Sequence, residues 1–294
     1  MQPRSRRVSA LHTLTDAHFA MPAAAAGALA LAFGGAPLGV LLIARRMSLV
    51  GDALSHGILP GAALAYLVAG PDPVALTLGA LGAGCIVAIL SSLLARTGRL
   101  PEDASFAVFY LSALALGVVI LGRSANAEAL LDLLFGAAGG LDATALIVSA
   151  IAASATLILL ALFLRGFLAE SADPVFMRAS GLPGGLLHLL LMMLVALNLV
   201  AGFRAFGALM TVGLMMIPAA SARFWARGYT GQAAAAVLIS VLASGSGLWL
   251  AHGLGVEPGA IMTLCASALF ATSALIGPHK GLLQNLPGRT HLEG

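Results

Sequence analysis

The sequence predicts an all-α, polytopic integral membrane protein. Hydrophobic residues make up 60% of the 294 positions, charged residues only 9%, and the mean hydropathy is +1.01. A water-soluble domain carries roughly 25% charged residues, so a polar surface of normal size cannot be built from this composition. The third observation is periodic interruption: long apolar runs alternate with short segments holding the arginines. In lipid, backbone groups find partners only within a helix or a closed barrel, and runs of this length favour helices.

Nine runs reach the roughly 17–25 residues that a crossing needs. They cover 22–44, 48–69, 74–95, 104–122, 143–165, 185–203, 205–222, 232–252 and 258–277. The sixth and seventh are separated by two residues and are either two crossings or one kinked element, so the expectation is eight or nine transmembrane helices. A further stretch at 126–138 is too short to cross and reads as a re-entrant or surface half-helix. The outline is a tail at 1–20, a membrane body at 21–278 containing a loop at 166–184, and a tail at 279–294.

Charge orients the array. If the segment with Arg45 and Arg46 faces the cytoplasm, alternation also places Arg96, Arg99, Arg165, Arg178, Arg223, Arg227, Lys280 and Arg289 inside. Arg123 and Arg204 then fall outside, and an excess of inside positives is the rule for such proteins. Nine crossings conflict with it only at Arg4, Arg6 and Arg7, which they place outside. The longest inside loop contains Asp173 and Pro174, a capping residue followed by a proline suited to a helix's first turn. A short surface helix is expected there, stopping at Gly181, with Phe176 and Met177 beside Arg178 giving it an amphipathic character.

Composition also excludes. No basic stripe suits nucleic acid, and Cys85 and Cys265 are isolated in apolar runs, as small hydrophobes are. No GxxxxGK[ST] phosphate loop, HExxH pair or GxSxG elbow occurs, so neither ATP binding of that type nor these hydrolytic chemistries belong to this chain. Pairs such as Gly35–Gly39, Gly57–Gly61 and Gly255–Gly259 read as helix-packing contacts.

The candidate chemistry is the pair Asp52 and His56. Four residues is about one helical turn, so both side chains share a face, and His56 lies roughly 15 Å beyond Arg46, near the middle of a core about 30 Å thick. Ionisable groups at that depth are costly and mark pathways or binding sites, unless they only tie helices together. Carboxylate oxygen with neutral imidazole suits zinc, manganese or ferrous iron. Pro60 cannot donate to the His56 carbonyl and is flanked by Gly57 and Gly61, so the helix is expected to be kinked or unwound beside the pair. Two ligands are too few for such a metal, and a two-fold axis supplies four. Protonation of the imidazole then opposes binding at low pH. Other polar groups have plainer readings. Glu102 and Asp103 suit a helix N-terminus, Glu128, Asp132 and Asp142 ordinary solvation, His188 and His252 the interface, and His12, Asp16 and His18 a solvated tail.

Six segments in order carry a resemblance. They are RRMSLVGDALSHGILPGAALAYL (45–67), LPEDASFAVFYLSALALGVVIL (100–121), LLFG (133–136), ADPVFMRASGLP (172–183), GFRAFGALMTVGLMMIPAASAR (202–223) and VEPGAIMTLCASALF (256–270). Over roughly 20–278 the chain resembles the membrane permeases of ABC importers for zinc and manganese, of the high-affinity zinc-uptake type. The resemblance implies an importer-permease bundle in the bacterial inner membrane, working as a homodimer or with a sister permease. It implies separate ATP-hydrolysing subunits, an extracytoplasmic metal-binding protein, no resident cofactor, and zinc or manganese as cargo. The family's metal position falls on Asp52 and His56, and its coupling helix on 172–182, including Asp173, Pro174, Phe176, Met177, Arg178 and Gly181. Many members carry a histidine before LFG where this chain has Asp132-Leu133-Leu134, so that role does not transfer. The alternatives are a permease for siderophore, haem or cobalamin, an ion-coupled secondary carrier, and an intramembrane hydrolase.

Overall fold

The computed structural model describes residues 4–96, 101–122, 143–279 and 281, all helix, turn or coil without a strand among them. The expected half-helix at 126–138, the LLFG segment, Glu128, Asp132, Asp142 and Lys280 lie outside the described residues, as do the side chains of His12, Asp16 and His18.

The helices are α1 (Arg4–Ala44), α2 (Val50–Gly57), α3 (Leu59–Ala69), α4 (Pro73–Arg96), α5 (Glu102–Leu121), α6 (Ala143–Ala172), α7 (Pro174–Ala179), α8 (Gly184–Ala222), α9 (Tyr229–Leu254) and α10 (Pro258–Ile276). Eight spans among the described residues are long and apolar enough to cross a membrane, with α2 and α3 counted as one. Two boundaries differ from the sequence reading. Residues 4–20, expected as a tail, continue the first helix, whose membrane-length part begins at Pro22. Residues 166–172, expected in the loop, extend α6.

Burial identifies the hub. In the most apolar window, 72% of the α1 span and 67% of α8 is buried, against 22% in α5 and α10. Leu38, Leu41 and Leu42 of α1 interlock with Leu191, Leu199 and Met215 of α8. The helices α2 to α5 pack on one part of this hub, and α9 with α10 on another. The α3–α4 crossing is tight because Gly61 and Gly79 meet there, where a Cβ on either would run into the other's carbonyl.

The 39-residue helix α8 bears on the question of eight or nine passes. A straight helix of 39 residues measures about 58 Å, nearly twice the apolar layer. Its first limb starts where His188 meets Arg45, at one end of α1, and climbs to Phe206, which lies against Gly27. The second limb returns, since Met215 lies against Gly39, and Ala219 packs with Ala36 and Val40. Thr211 fills the space left by the absent side chain of Gly202. The reversal is made by Gly207 alone, at φ 80° and ψ 170°, a region open essentially to glycine. One helical run therefore folds back along α1 instead of running on as a straight rod. The reversal lies at Gly207 rather than at the Arg204 break in hydropathy. Gly255, expected in a packing pair, instead terminates α9 at φ 67°.

Candidate functional site

On α2 the inward face is apolar and closed. Leu54 is fully buried, Gly51 lies against the Met215 side chain, and Gly57 against Val87. The opposite face carries Asp52 and His56, with Asp52 Oδ1 and His56 Nε2 3.9 Å apart. Their side chains are 65% and 37% exposed, so this chain does not cover them. The separation is too long for a hydrogen bond, which leaves both atoms open to a third group. Two metal–ligand bonds of about 2.1 Å at a tetrahedral angle place their donors about 3.4 Å apart, within a small χ rotation of this geometry. Ser55 does not compete for the pair, because its hydroxyl donates to the Asp52 backbone carbonyl at 2.6 Å. The Tyr110 ring of α5 stands 6.5 Å from the imidazole.

The helix break is smaller than the sequence reading expects. Only Ile58 separates α2 from α3, and at φ −80° and ψ −16° it keeps helical dihedrals. Pro60 interrupts the hydrogen-bond ladder without unwinding it. Gly57 and Gly61 let α4 approach, and with Pro60 they line an apolar groove between α3, α4 and α5. Among the described residues no three or more His, Cys, Asp or Glu side chains gather.

At the arginine-rich end, α7 forms where a capping residue and a proline stand together. The Asp173 carboxylate accepts from the Val175 and Phe176 amides at 3.0 and 2.8 Å, and Pro174 occupies the first turn. Arg178 Nε donates to the Pro174 carbonyl at 3.2 Å. Gly181, at φ 69°, follows the helix, and the Leu182 amide donates to the Met177 carbonyl at 3.0 Å. Met177 is buried as the anchor, while Val175 and Phe176 are 65% and 61% exposed. Two large apolar side chains are thus left uncovered on a short turn of helix.

Sequence reasoning missed the clamp behind this end. His188, expected at the interface, is buried, and its Nδ1 lies 2.8 Å from Arg45 Nη1. Arg45 Nε also donates to Ser171 at 2.8 Å, tying the start of the α2 segment to the root of α7. Glu170 is buried beside Gly184, with Oε2 unpartnered. At the far end Arg204 donates to the Pro73 carbonyl and to Thr77 at 3.0 and 3.1 Å. In the core, Asn198 Nδ2 donates to Thr156 Oγ1 at 2.6 Å, and a lone Asn in an apolar run was the signal available for that pair.

Comparison with known proteins gives this geometry a context. A manganese transport system membrane protein, MntC, from Halalkalibacterium halodurans is 30% identical over 247 residues, covering 84% of this chain and 83% of the relative. A chelated iron transport system membrane protein, YfeD, from Yersinia pestis is 30% identical, covering 82% and 80%. The solved structure of PsaBC from Streptococcus pneumoniae in complex with Fab superposes with a TM-score of 0.75 at 28% identity, covering 89% of this chain and 93% of that one. The ABC 3 transport family matches residues 17–277. This chain belongs to that family, as a multi-pass transport subunit of the bacterial cell membrane rather than an enzyme.

Proposed function

We propose that the chain is the permease of an ATP-driven importer that moves a divalent transition metal, manganese first among candidates, past Asp52 and His56. The observation that carries this reading is a carboxylate and an imidazole within 3.9 Å on the uncovered face of an otherwise apolar helix. A charge at such a position is costly toward lipid, so that face turns to water, a ligand or a protein partner. A second copy related by a two-fold axis supplies the missing donors and completes an O₂N₂ set. Manganese leads because several relatives are named for manganese transport and others for iron. Oxygen and nitrogen donors accept zinc as well.

The partners follow from the same reading. ATPase subunits dock at the arginine-rich end through α7 and residues 172–182, and a metal-delivering protein docks at the opposite end. The exposed Phe176 is the natural anchor, as large apolar side chains at the centre of an interface carry most of its energy. Phe176→Asp is expected to weaken ATPase association by more than about thirtyfold, measured by co-purification and by surface binding of the isolated ATPase. Unchanged association places the interface elsewhere.

Uptake of radiolabelled manganese into proteoliposomes holding the permease and its ATPase tests the whole proposal. Uptake is expected to require ATP and to be competed by unlabelled manganese. Stronger competition by zinc or ferrous iron reassigns the cargo, and uptake driven by an ion gradient without ATP replaces the importer with a secondary carrier.

A further inference from the structure

The turn joining α8 to α9 borders an open cavity of about 790 Å³ at the arginine-rich end of the bundle. Its polar rim holds Arg223, Arg227, His279 and Gln232, and no Asp or Glu lines it among the described residues. Neither arginine makes an ion pair among the described residues, and both are exposed. The inner wall is different. Ile43 of α1 and Phe270 of α10 belong to membrane-length segments, so the cavity continues from a cationic rim into the apolar layer.

The turn is held in shape from three sides. Gln232 Nε2 donates to the Ala226 and Arg227 carbonyls at 3.0 and 3.4 Å. Trp225 Nε1 donates to Ser273 Oγ at 2.9 Å, and the His279 amide donates to the Phe224 carbonyl at 2.9 Å. The arginines therefore project from a fixed frame. Trp225 is itself 43% exposed, and tryptophans concentrate at the headgroup level of a bilayer. Cationic rim, apolar wall and interfacial depth are the three features that one phospholipid presents in complementary form.

We infer that this cavity binds an anionic phospholipid of the cytoplasmic leaflet. Its phosphate sits between Arg223 and Arg227, and an acyl chain lies along Ile43 and Phe270. The guanidinium forks suit phosphate oxygens better than a zwitterionic headgroup, whose own cation is repelled by the rim. Basic pockets between transmembrane helices on this side recognise anionic headgroups in the same way. The site is separate from α7, and lipid binding there does not depend on which metal the importer carries.

The test uses the full-length chain purified with its ATPase, delipidated, and exposed to dioleoylphosphatidylglycerol, dioleoylphosphatidylcholine or inorganic phosphate. Native mass spectrometry reads retained lipid, and thermal unfolding reads stabilisation. The wild type is expected to retain the glycerol lipid and to be stabilised by it, but not by the choline lipid or by phosphate alone. Arg223→Gln with Arg227→Gln is expected to weaken retention roughly thirtyfold, as fits the loss of two basic residues at an anionic surface. Should that double variant fold poorly, Arg227→Gln alone is read instead, with roughly fivefold weaker retention. Arg165→Gln, exposed on α6, is the control for general positive charge and leaves retention unchanged. Equal retention of both lipids, an equal loss in Arg165→Gln, or saturation by inorganic phosphate overturns the assignment. Full lipid retention with lost ATPase association in the arginine variants also overturns it and makes the cavity a protein-docking surface.

Discussion

His56→Ala is expected to reduce metal uptake by more than about a hundredfold while the protein still inserts and folds. Outer partners of a metal ligand are already worth 10- to 100-fold, and His56 is proposed as a ligand itself. Its side chain is part-exposed and belongs to none of the buried clusters, so truncation leaves no core cavity. Removing a polar ring at that depth even relieves a burial cost. Asp52→Asn follows the same course, because it keeps the shape and loses the anion. Uptake is compared at matched membrane abundance, with detergent-solubilised thermal unfolding as the check on folding. Wild-type uptake by a well-expressed His56→Ala protein would sink the assignment of this pair.

Mixed dimers should be nearly inactive. When wild-type and His56→Ala copies are co-expressed with different affinity tags and purified through both, each dimer holds one intact and one truncated copy. A metal shared across the two-fold axis loses one of four donors in every such dimer, so ATP-dependent uptake is expected to fall far below half. Two private pathways predict half the wild-type rate instead. The two outcomes differ by more than any plausible error in subunit counting, and the half-rate result rejects the shared site while leaving Asp52 and His56 as ligands.

Much of this molecule is legible in its sequence because lipid imposes a strict rule. A crossing segment must be long, apolar and helical, and the runs ending at Arg45 and Gly70 show their limits in composition alone. The Asp173–Pro174 start of α7 is equally local, since a cap bonds to amides two and three residues ahead. The Asp52–His56 spacing is local too. What stayed hidden depends on contacts across the chain. The reversal at Gly207 is indistinguishable from any other glycine until Thr211 is seen beside Gly202. The same holds for His188, whose burial depends on Arg45, 143 residues away. The kink or unwinding expected beside Pro60 takes the form of a short interruption at Ile58, whose dihedrals stay helical, while Gly57 and Gly61 face α4.

The two arginines at opposite ends of the bundle have a mechanical consequence. Arg45 fastens the arginine-rich end of the α2 segment to α6 and α8, and Arg204 fastens the opposite end of α4 to the turn of α8. Helices α2 to α5 are thus tied to the rest of the bundle at both ends by a guanidinium, in addition to the apolar packing of Leu54, Ile58 and Val87 with Leu191 and Val195 of α8. Asp52 and His56 ride on the segment so fastened, which sets their height along α8.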